Sequence, residues 1–375
     1  MSELKANLLQ PLTPGIMLKL VCVDDFYTAA KSKLTADGTW DYLEGGSDDQ
    51  FALQQSRKAF QRYVVRPRFL RDVSTRDLSA TILGKNVSFP VGVAPMAMQK
   101  LAHPDGECAA AMGAGAVGTI YILSTMSTCS IEEVANAAPN TRLWFQLYYQ
   151  KDRNVNIDLI SRAEKAGYEA LVLTLDTQMI GKRRGNLRTP FNLPENAKLA
   201  NFESSAGNDV NKMRDNSKPV RDMSVTWDVI NWIRGQTTMK LVLKGILTGE
   251  DATLAVENKV DGIIVSNHGG RQLDCVLPPI DALAEVVAAV GKSDCEVYMD
   301  GGVSLGSDVF KALALGAKMV FVGRGVLWGL AVGGQQGVTK VLDIYRSELD
   351  LTLALSGVAK SCQINSACVQ AYSPQ

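Results

Sequence analysis

Gly262-Ile263-Ile264-Val265-Ser266-Asn267-His268-Gly269-Gly270-Arg271-Gln272-Leu273-Asp274 changes character in the middle. It opens with a β-branched apolar run, the pattern of a strand buried on both faces. The run then breaks into polar residues and a glycine pair, as buried strands do when their last side chains point into a site. His268 is one of two histidines in the chain, and Arg271 lies three residues on. An imidazole that titrates near neutrality, beside a permanently charged guanidinium, can take a proton and grip a carboxylate in one place.

Seven further β-rich runs repeat the pattern: Phe89–Pro95, Gly118–Thr125, Arg142–Tyr149, Ala170–Thr177, Lys240–Ile246, Glu296–Gly302 and Met319–Gly325. With Gly262–Asn267 they make eight. Helical candidates lie between them, near 104–115, 130–137, 153–166, 226–234, 249–258, 279–291 and 305–315, and another follows near 335–355. Eight β/α units in roughly 250–280 residues predict an α/β protein of the TIM (β/α)8 barrel class. A doubly wound sheet needs turn glycines after its first strand, where Pro95-Met96-Ala97-Met98 stands instead. The GxGxxG match at Gly113–Gly118 follows an Ala-rich helix and leads into a strand, the reverse of the order a dinucleotide loop requires.

Residues 1–75 read as a lead-in and helical extension packing on the barrel, with helical patterns from Val23 to Leu34 and from Thr39 to Phe60. The barrel is expected over 76–360, the whole of 18–360 forming one domain, with 361–375 as a C-terminal tail. The aromatic cluster at Trp40–Tyr42 ahead of Gly45-Gly46 reads most simply as helix packing followed by a C-cap. The longest stretch without a clear element, 181–225, is either a mobile lid on the active face or a disordered insertion without function.

Composition narrows the function classes. The 375 residues carry 39 basic and 39 acidic side chains, which gives no reason to expect a nucleic-acid partner or a charged membrane surface. No run is long enough to span a bilayer, and charges and prolines break up the N-terminus where a secretory signal would be apolar. Seven scattered cysteines without a CxxC pair read as reduced thiols of an intracellular protein.

A barrel places reactive side chains at the C-terminal ends of its strands. Those ends read Ser124-Thr125-Met126, Gln146-Leu147-Tyr148, Thr174-Leu175-Asp176, Lys244-Gly245, Ser266-Asn267-His268, Asp300-Gly301-Gly302 and Gly323-Arg324. Polar groups from seven strands therefore converge on one rim. Gly301, Gly302 and Gly323, with Arg324, suit a phosphate, although glycines there also serve tight turns. Lys244 follows Leu241-Val242-Leu243 and needs an anionic partner, either a cofactor that gains negative charge or a neighbouring carboxylate.

Taken together, these residues resemble the FMN-dependent 2-hydroxy acid oxidases and dehydrogenases, the glycolate oxidase, lactate oxidase and long-chain hydroxyacid oxidase type, from about Val23 to Gly357. Ser266–Asp274 is the most specific element. Phe145-Gln146-Leu147-Tyr148, Leu173–Thr177, Lys244-Gly245 and Asp300-Gly301-Gly302-Val303 add to it. The resemblance implies His268 as general base, Asp176 as the carboxylate that stabilises its imidazolium, and Arg271 and Arg183 as a clamp on the substrate carboxylate. It implies Tyr42 and Tyr148 at the substrate oxygens. For FMN it implies Pro95, Met96 and the backbone at Ala97, with Ser124, Gln146 and Thr174, at the isoalloxazine. Lys244 would face the ring edge that becomes anionic on reduction, and Ser266 would touch the cofactor. Asp300, Gly301, Gly302, Gly323 and Arg324 would take the ribityl phosphate.

Four positions depart from the family pattern. Met126 replaces an aromatic residue of the substrate pocket, and its flexible thioether suggests room for a longer or bulkier side chain. Ser304 replaces an arginine, Gln178 and Gly325 each a proline. The expected reaction is oxidation of an (S)-2-hydroxy acid to the 2-oxo acid, with O2 reduced to H2O2. The rivals are a dehydrogenase that passes electrons to a quinone or other carrier, and a flavin-binding protein of weakened activity. The family implies a homotetramer. Its members are often peroxisomal, but this chain ends Ser373-Pro374-Gln375 without the Ser-Lys-Leu address, so a peroxisomal or a cytoplasmic compartment is expected. His103 is expected to start a helix and to play no catalytic part.

Overall fold

Each of the eight apolar runs forms a strand. A computed structural model describes residues 19–34, 38–195, 197–202 and 221–372. The chain enters through α1 (Val23–Leu34), α2 (Thr39–Glu44) and α3 (Phe51–Lys58), then β1 (Tyr63–Val65) and a hairpin of β2 (Ala80–Ile82) and β3 (Lys85–Val87). The alternating units follow as β4 (Val91–Val93), α4 (Gly106–Ala116), β5 (Ile120–Ser124), α5 (Ile131–Ala137), β6 (Arg142–Leu147), α6 (Arg153–Lys165) and β7 (Ala170–Thr174). After α7 (Arg184–Arg188) and α8 (Asp228–Arg234) come β8 (Lys240–Ile246), α9 (Gly249–Glu257), β9 (Gly262–Val265), α10 (Pro279–Val290), β10 (Glu296–Asp300), α11 (Gly306–Ala314) and β11 (Met319–Val322). Helix α12 (Arg324–Ser356) and β12 (Val369–Ala371) complete the chain.

Strands β4 to β11 form one closed parallel barrel, sealed where Val320 of β11 pairs with Val91 of β4. This is the TIM barrel expected from the pattern. Its interior is packed, not hollow: Trp144, Tyr298 and Phe321 meet with ring centres 5.5–5.9 Å apart. Ile82 and Val87 of the β2–β3 hairpin join the same cluster and close the barrel's lower end. The hairpin is held there by Glu296, which accepts from Leu83 N at 3.1 Å and from the Tyr298 hydroxyl at 2.7 Å. Arg142 adds bonds to the carbonyls of Ile82 and Lys85.

The GxGxxG match resolves into helix packing. Gly113 lies in α4, and a Cβ there would come within 2.6 Å of Val338 on α12. The helix expected near 335–355 is the second half of α12, whose first half starts directly after β11. The two halves meet at a kink where Gly334 has φ +56°, a conformation that side chains rarely adopt. Residues 369–371 do not hang free. β12 pairs antiparallel with β1, Tyr63 opposite Ala371 and Val65 opposite Val369, and so ties the end of the chain to the N-terminal extension. Three-residue strands are too short to leave an alternating signal in the sequence. Among the described residues no helix is long and apolar enough to cross a membrane. The middle of the 181–225 stretch, 203–220, lies outside the described residues.

Candidate active site

The Ser266–Asp274 stretch organises the upper rim by itself. Asp274 accepts from the backbone of Phe51 and Ala52 at 3.2 and 2.7 Å and so caps α3. Asn267 Nδ2 donates to the Ser56 hydroxyl oxygen at 2.8 Å. Gly270 passes so close to Leu53 that a Cβ would lie 2.5 Å from its nitrogen, and its carbonyl accepts from Ser47 N at 2.9 Å. Gln272 donates to the carbonyls of Asp176 and Met179, both at 2.7 Å, and accepts from Gly181 N. One segment therefore docks the N-terminal extension on one side and fixes the loop after β7 on the other.

His268 sits between them in left-handed backbone, φ +58°. Its Nδ1 lies 2.7 Å from Asp176 Oδ1, and its Nε2 lies 3.4 Å from the Tyr148 hydroxyl. The Thr177 hydroxyl donates to the same Asp176 oxygen at 2.8 Å. Burial pulls the imidazole below its ordinary pKa, and the Asp176 charge offsets only part of that. Burial alone would raise Asp176, yet His268, Lys244 and Thr177 outweigh it and hold the carboxyl at about 2. At neutral pH the pair therefore stands as neutral imidazole and carboxylate, with Nε2 available to accept a proton.

A second group lies across the cavity. Gln146 donates to Thr174 Oγ1 at 3.0 Å and accepts from Ser124 Oγ at 3.2 Å, which makes one polar row over the ends of β5, β6 and β7. Lys244 lies beside it, its side chain 5% exposed, bonded to Ser266 Oγ at 2.8 Å and to Asp300 Oδ2 at 3.1 Å. Burial works against its charge, but Asp300 and Asp176 prevail, and its pKa is raised. Of the two readings of Lys244, the carboxylate partner is present in the fold. Asp300 keeps Oδ1 with no hydrogen-bond partner.

These residues border a cavity of about 630 Å³, within the size range of cofactor sites. Tyr42, Pro95, Met96, Ala97, Ser124, Gln146, Tyr148, Thr174, Arg183, Lys244, His268, Arg271, Asp300, Gly301, Gly302, Gly323 and Arg324 all line it, as does Ser304. Asp176 and Ser266 stand behind His268 and Lys244. Met126, expected on the substrate wall, is 7% exposed and is not among the lining residues. His103 precedes α4 at Gly106 and packs against Gly334, away from the cavity.

Two arginines take partners that the pattern did not reveal. Arg271 donates through Nη1 to the carbonyls of Tyr42, Leu43 and Gly45 at 2.7, 3.4 and 2.9 Å, and its guanidinium lies 5.1 Å over the Tyr42 ring. Arg324 donates to Leu43, Gly269 and Gly45 carbonyls, with Glu44 at 3.8 Å. Both cations neutralise the carbonyl end of α2 and hold Tyr42 over the cavity. Sequence reading also missed Glu107, whose buried carboxylate accepts from the backbone of Gln99, Thr128 and Cys129 and from the Thr128 hydroxyl. It locks the loops after β4 and β5 together; its position inside an Ala-rich helix gives no hint of this. Arg221, also missed, stacks 4.6 Å over the Tyr148 ring.

One half of this rim is poised to accept a proton and the other to stabilise negative charge beside a flat polar row, the division of labour of a flavin-dependent oxidoreductase. The chain belongs to the FMN-dependent dehydrogenase family, whose sequence profile matches residues 30–371. It is 48% identical over 345 residues to Glycolate oxidase 3 of Arabidopsis thaliana, covering 91% of this chain and 93% of that one. It is 47% identical over 354 residues to 2-Hydroxyacid oxidase 2 of Homo sapiens, covering 94% and 99%. Among solved structures it superposes on a mandelate oxidase mutant with (S)-mandelic acid at TM-score 0.85, with 39% identity and 95% and 100% coverage. A soluble mutant of the membrane-associated (S)-mandelate dehydrogenase from Pseudomonas putida gives TM-score 0.87, 38% identity and 94% and 100% coverage.

The cavity fits FMN, the cofactor of this family. The Ser124–Gln146–Thr174 row offers donors and acceptors to a planar ring, and Lys244 offers a buried cation. Asp300 Oδ1 is an unused acceptor for a ribityl hydroxyl. Gly301 and Gly302, at φ +93° and +80°, keep side chains out of the end where Arg324 lies. Ser304, in place of an arginine, hydrogen-bonds Gly302 O and Asp308, and the guanidinium groups that line the cavity there are those of Arg324 and Arg57.

Proposed function

We propose that the protein oxidises an (S)-2-hydroxy acid to the 2-oxo acid and passes the electrons to O2, forming H2O2. The observation that carries this reading is the neutral His268 imidazole, anchored through Nδ1 to Asp176 at 2.7 Å with Nε2 facing the cavity. Bound FMN supplies a two-electron acceptor that oxygen can reoxidise. Arg271, with two guanidinium nitrogens left over from its bonds to α2, and Arg183 hold the substrate carboxylate. Tyr148 and Tyr42 orient the hydroxyl at the reacting carbon. His268 Nε2 takes the proton released there, and Asp176 stabilises the resulting imidazolium. Lys244 holds its charge beside the polar row, where negative charge accumulates during oxidation. Pro95, Met96 and Ala97 line the same cavity.

The names of the relatives, glycolate oxidase, 2-hydroxyacid oxidase and mandelate oxidase, support the oxidase reading. Anaerobic mixing of the FMN-loaded protein with (S)-lactate, a longer (S)-2-hydroxy acid and glycolate tests it. Bleaching of the flavin band followed by recovery and peroxide release in air is expected. No bleaching with any acid would overturn the enzyme reading, and bleaching without recovery in air would replace the oxidase by a dehydrogenase.

A further inference from the structure

The cations around the cavity are not equally satisfied. Lys244 has Asp300, Arg324 has Glu44 and three carbonyls, and Arg271 has the carbonyl end of α2. Arg221 differs. Its backbone pairs with Gln150 ahead of α8, and the residue is only 8% exposed. Its guanidinium lies 4.6 Å from the centre of the Tyr148 ring. Among the described residues no carboxylate, carbonyl or hydroxyl hydrogen-bonds it. Burial lowers its pKa, and no carboxylate among the described residues works against that. Stacking on an aromatic face replaces only part of the lost hydration. A desolvated guanidinium without an anion is costly to the fold, and an anion arriving with a ligand would offset that cost.

Arg271 and Arg183 already supply the charge that one substrate carboxylate needs. We propose that Arg221 is a specificity-determining residue that receives a second carboxylate, so that the preferred substrates are short (S)-2-hydroxy dicarboxylic acids. This rests on the oxidation proposed above for the same site. Tyr148 links the two: its ring carries Arg221, which stands behind it and not on the cavity wall, and its hydroxyl lies 3.4 Å from His268 Nε2, so a short acidic substituent on the reacting carbon would meet the guanidinium past the edge of that ring.

(S)-Malate and (S)-2-hydroxybutanoate differ by a carboxylate in place of a methyl group and separate charge from size. With the FMN-loaded wild type, kcat/KM for malate is expected to exceed that for 2-hydroxybutanoate by about tenfold or more. Arg221→Met should lower that ratio by about tenfold or more, chiefly through the KM for malate, and Arg221→Lys should restore part of it. A wild-type preference for the monoacid, or equal losses on both acids in Arg221→Met, would overturn the assignment, the latter leaving Arg221 as mere support for Tyr148. Titrating oxaloacetate and 2-oxobutanoate against the flavin absorbance reads binding without turnover, and the diacid should bind more tightly only while Arg221 is present. Oxidation of the monoacid without any diacid preference would sink this inference and leave the proposed function standing. If neither acid, nor lactate or glycolate, bleaches the flavin, the proposed function fails, and a diacid that binds no more tightly would fail Arg221 independently.

Discussion

The two ends of the barrel are built from the same strands to opposite purposes. At the lower end Trp144, Tyr298 and Phe321 fill the interior, and the β2–β3 hairpin closes it with Ile82 and Val87. Its charges are matched: Glu169 meets both Arg142 and Lys85, and Glu296 holds the hairpin and Lys318. At the upper end Asp176 Oδ2 and Asp300 Oδ1 are buried without partners, His268 is in left-handed backbone, and Arg221 lacks an anion. Uncompensated charge thus collects at the upper end, where a ligand can complete it; the exceptions at the lower end are neutral, Trp144 Nε1 buried without a partner and Leu83 in left-handed backbone.

That contrast predicts separable failures. The largest effect belongs to the rim: His268→Ala should retain FMN and the wild-type Tm within a few degrees while its rate of flavin reduction falls about 10²–10⁴-fold. Rapid-mixing absorbance measures it, and an unchanged rate would remove His268 from the chemistry. The lower end should answer in the opposite currency. Trp144→Ala, which empties the centre of the packed interior, should cost roughly 3–5 kcal/mol in chemical denaturation. The molecules still folded should keep a near-normal kcat; a specific loss of catalysis would show that the two ends are coupled.

Protonation gives a smaller, graded effect. The base must be neutral, and burial lowers its pKa, so kcat/KM should be flat around neutrality. It should fall about tenfold per pH unit only once the pH drops below a limb that lies under the ordinary histidine value. Asp176 raises the affinity of His268 for a proton, so Asp176→Asn should shift that limb to still lower pH while reducing the rate. A limb that moves upward would contradict the pairing. The smallest effect belongs to the lower surface. Lys85→Ala removes an exposed lysine from Glu169, which keeps its pair with Arg142, and should change stability by roughly 0.5 kcal/mol or less, without effect on turnover.

The barrel was legible because buried parallel strands are continuous apolar runs, and every such run became a strand. The polar ends of those runs located the rim for the same reason. What escaped was whatever depends on contacts between distant segments. The β2–β3 hairpin has strands of three residues and no alternation to read. Arg271 and Arg324 look like ligands for anions in sequence, yet in the fold they also hold the carbonyl end of α2. Asp274 belongs to the most recognisable stretch in the chain, but its role as a cap on α3, over 220 residues earlier, follows only from the fold. Glu107 and Arg221 carry no local signal, since a carboxylate in an alanine-rich helix and an arginine ahead of one are ordinary surface patterns.

The pairing of β1 with β12 sets an order of events. These two strands lie about 300 residues apart, so their contact is among the slowest the chain can make. The N-terminal extension carries Tyr42, and β1 follows it directly. During synthesis the barrel can close while this clasp is still missing. In the folded molecule the extension that carries Tyr42 is secured twice, by the Ser266–Asp274 stretch and by β12.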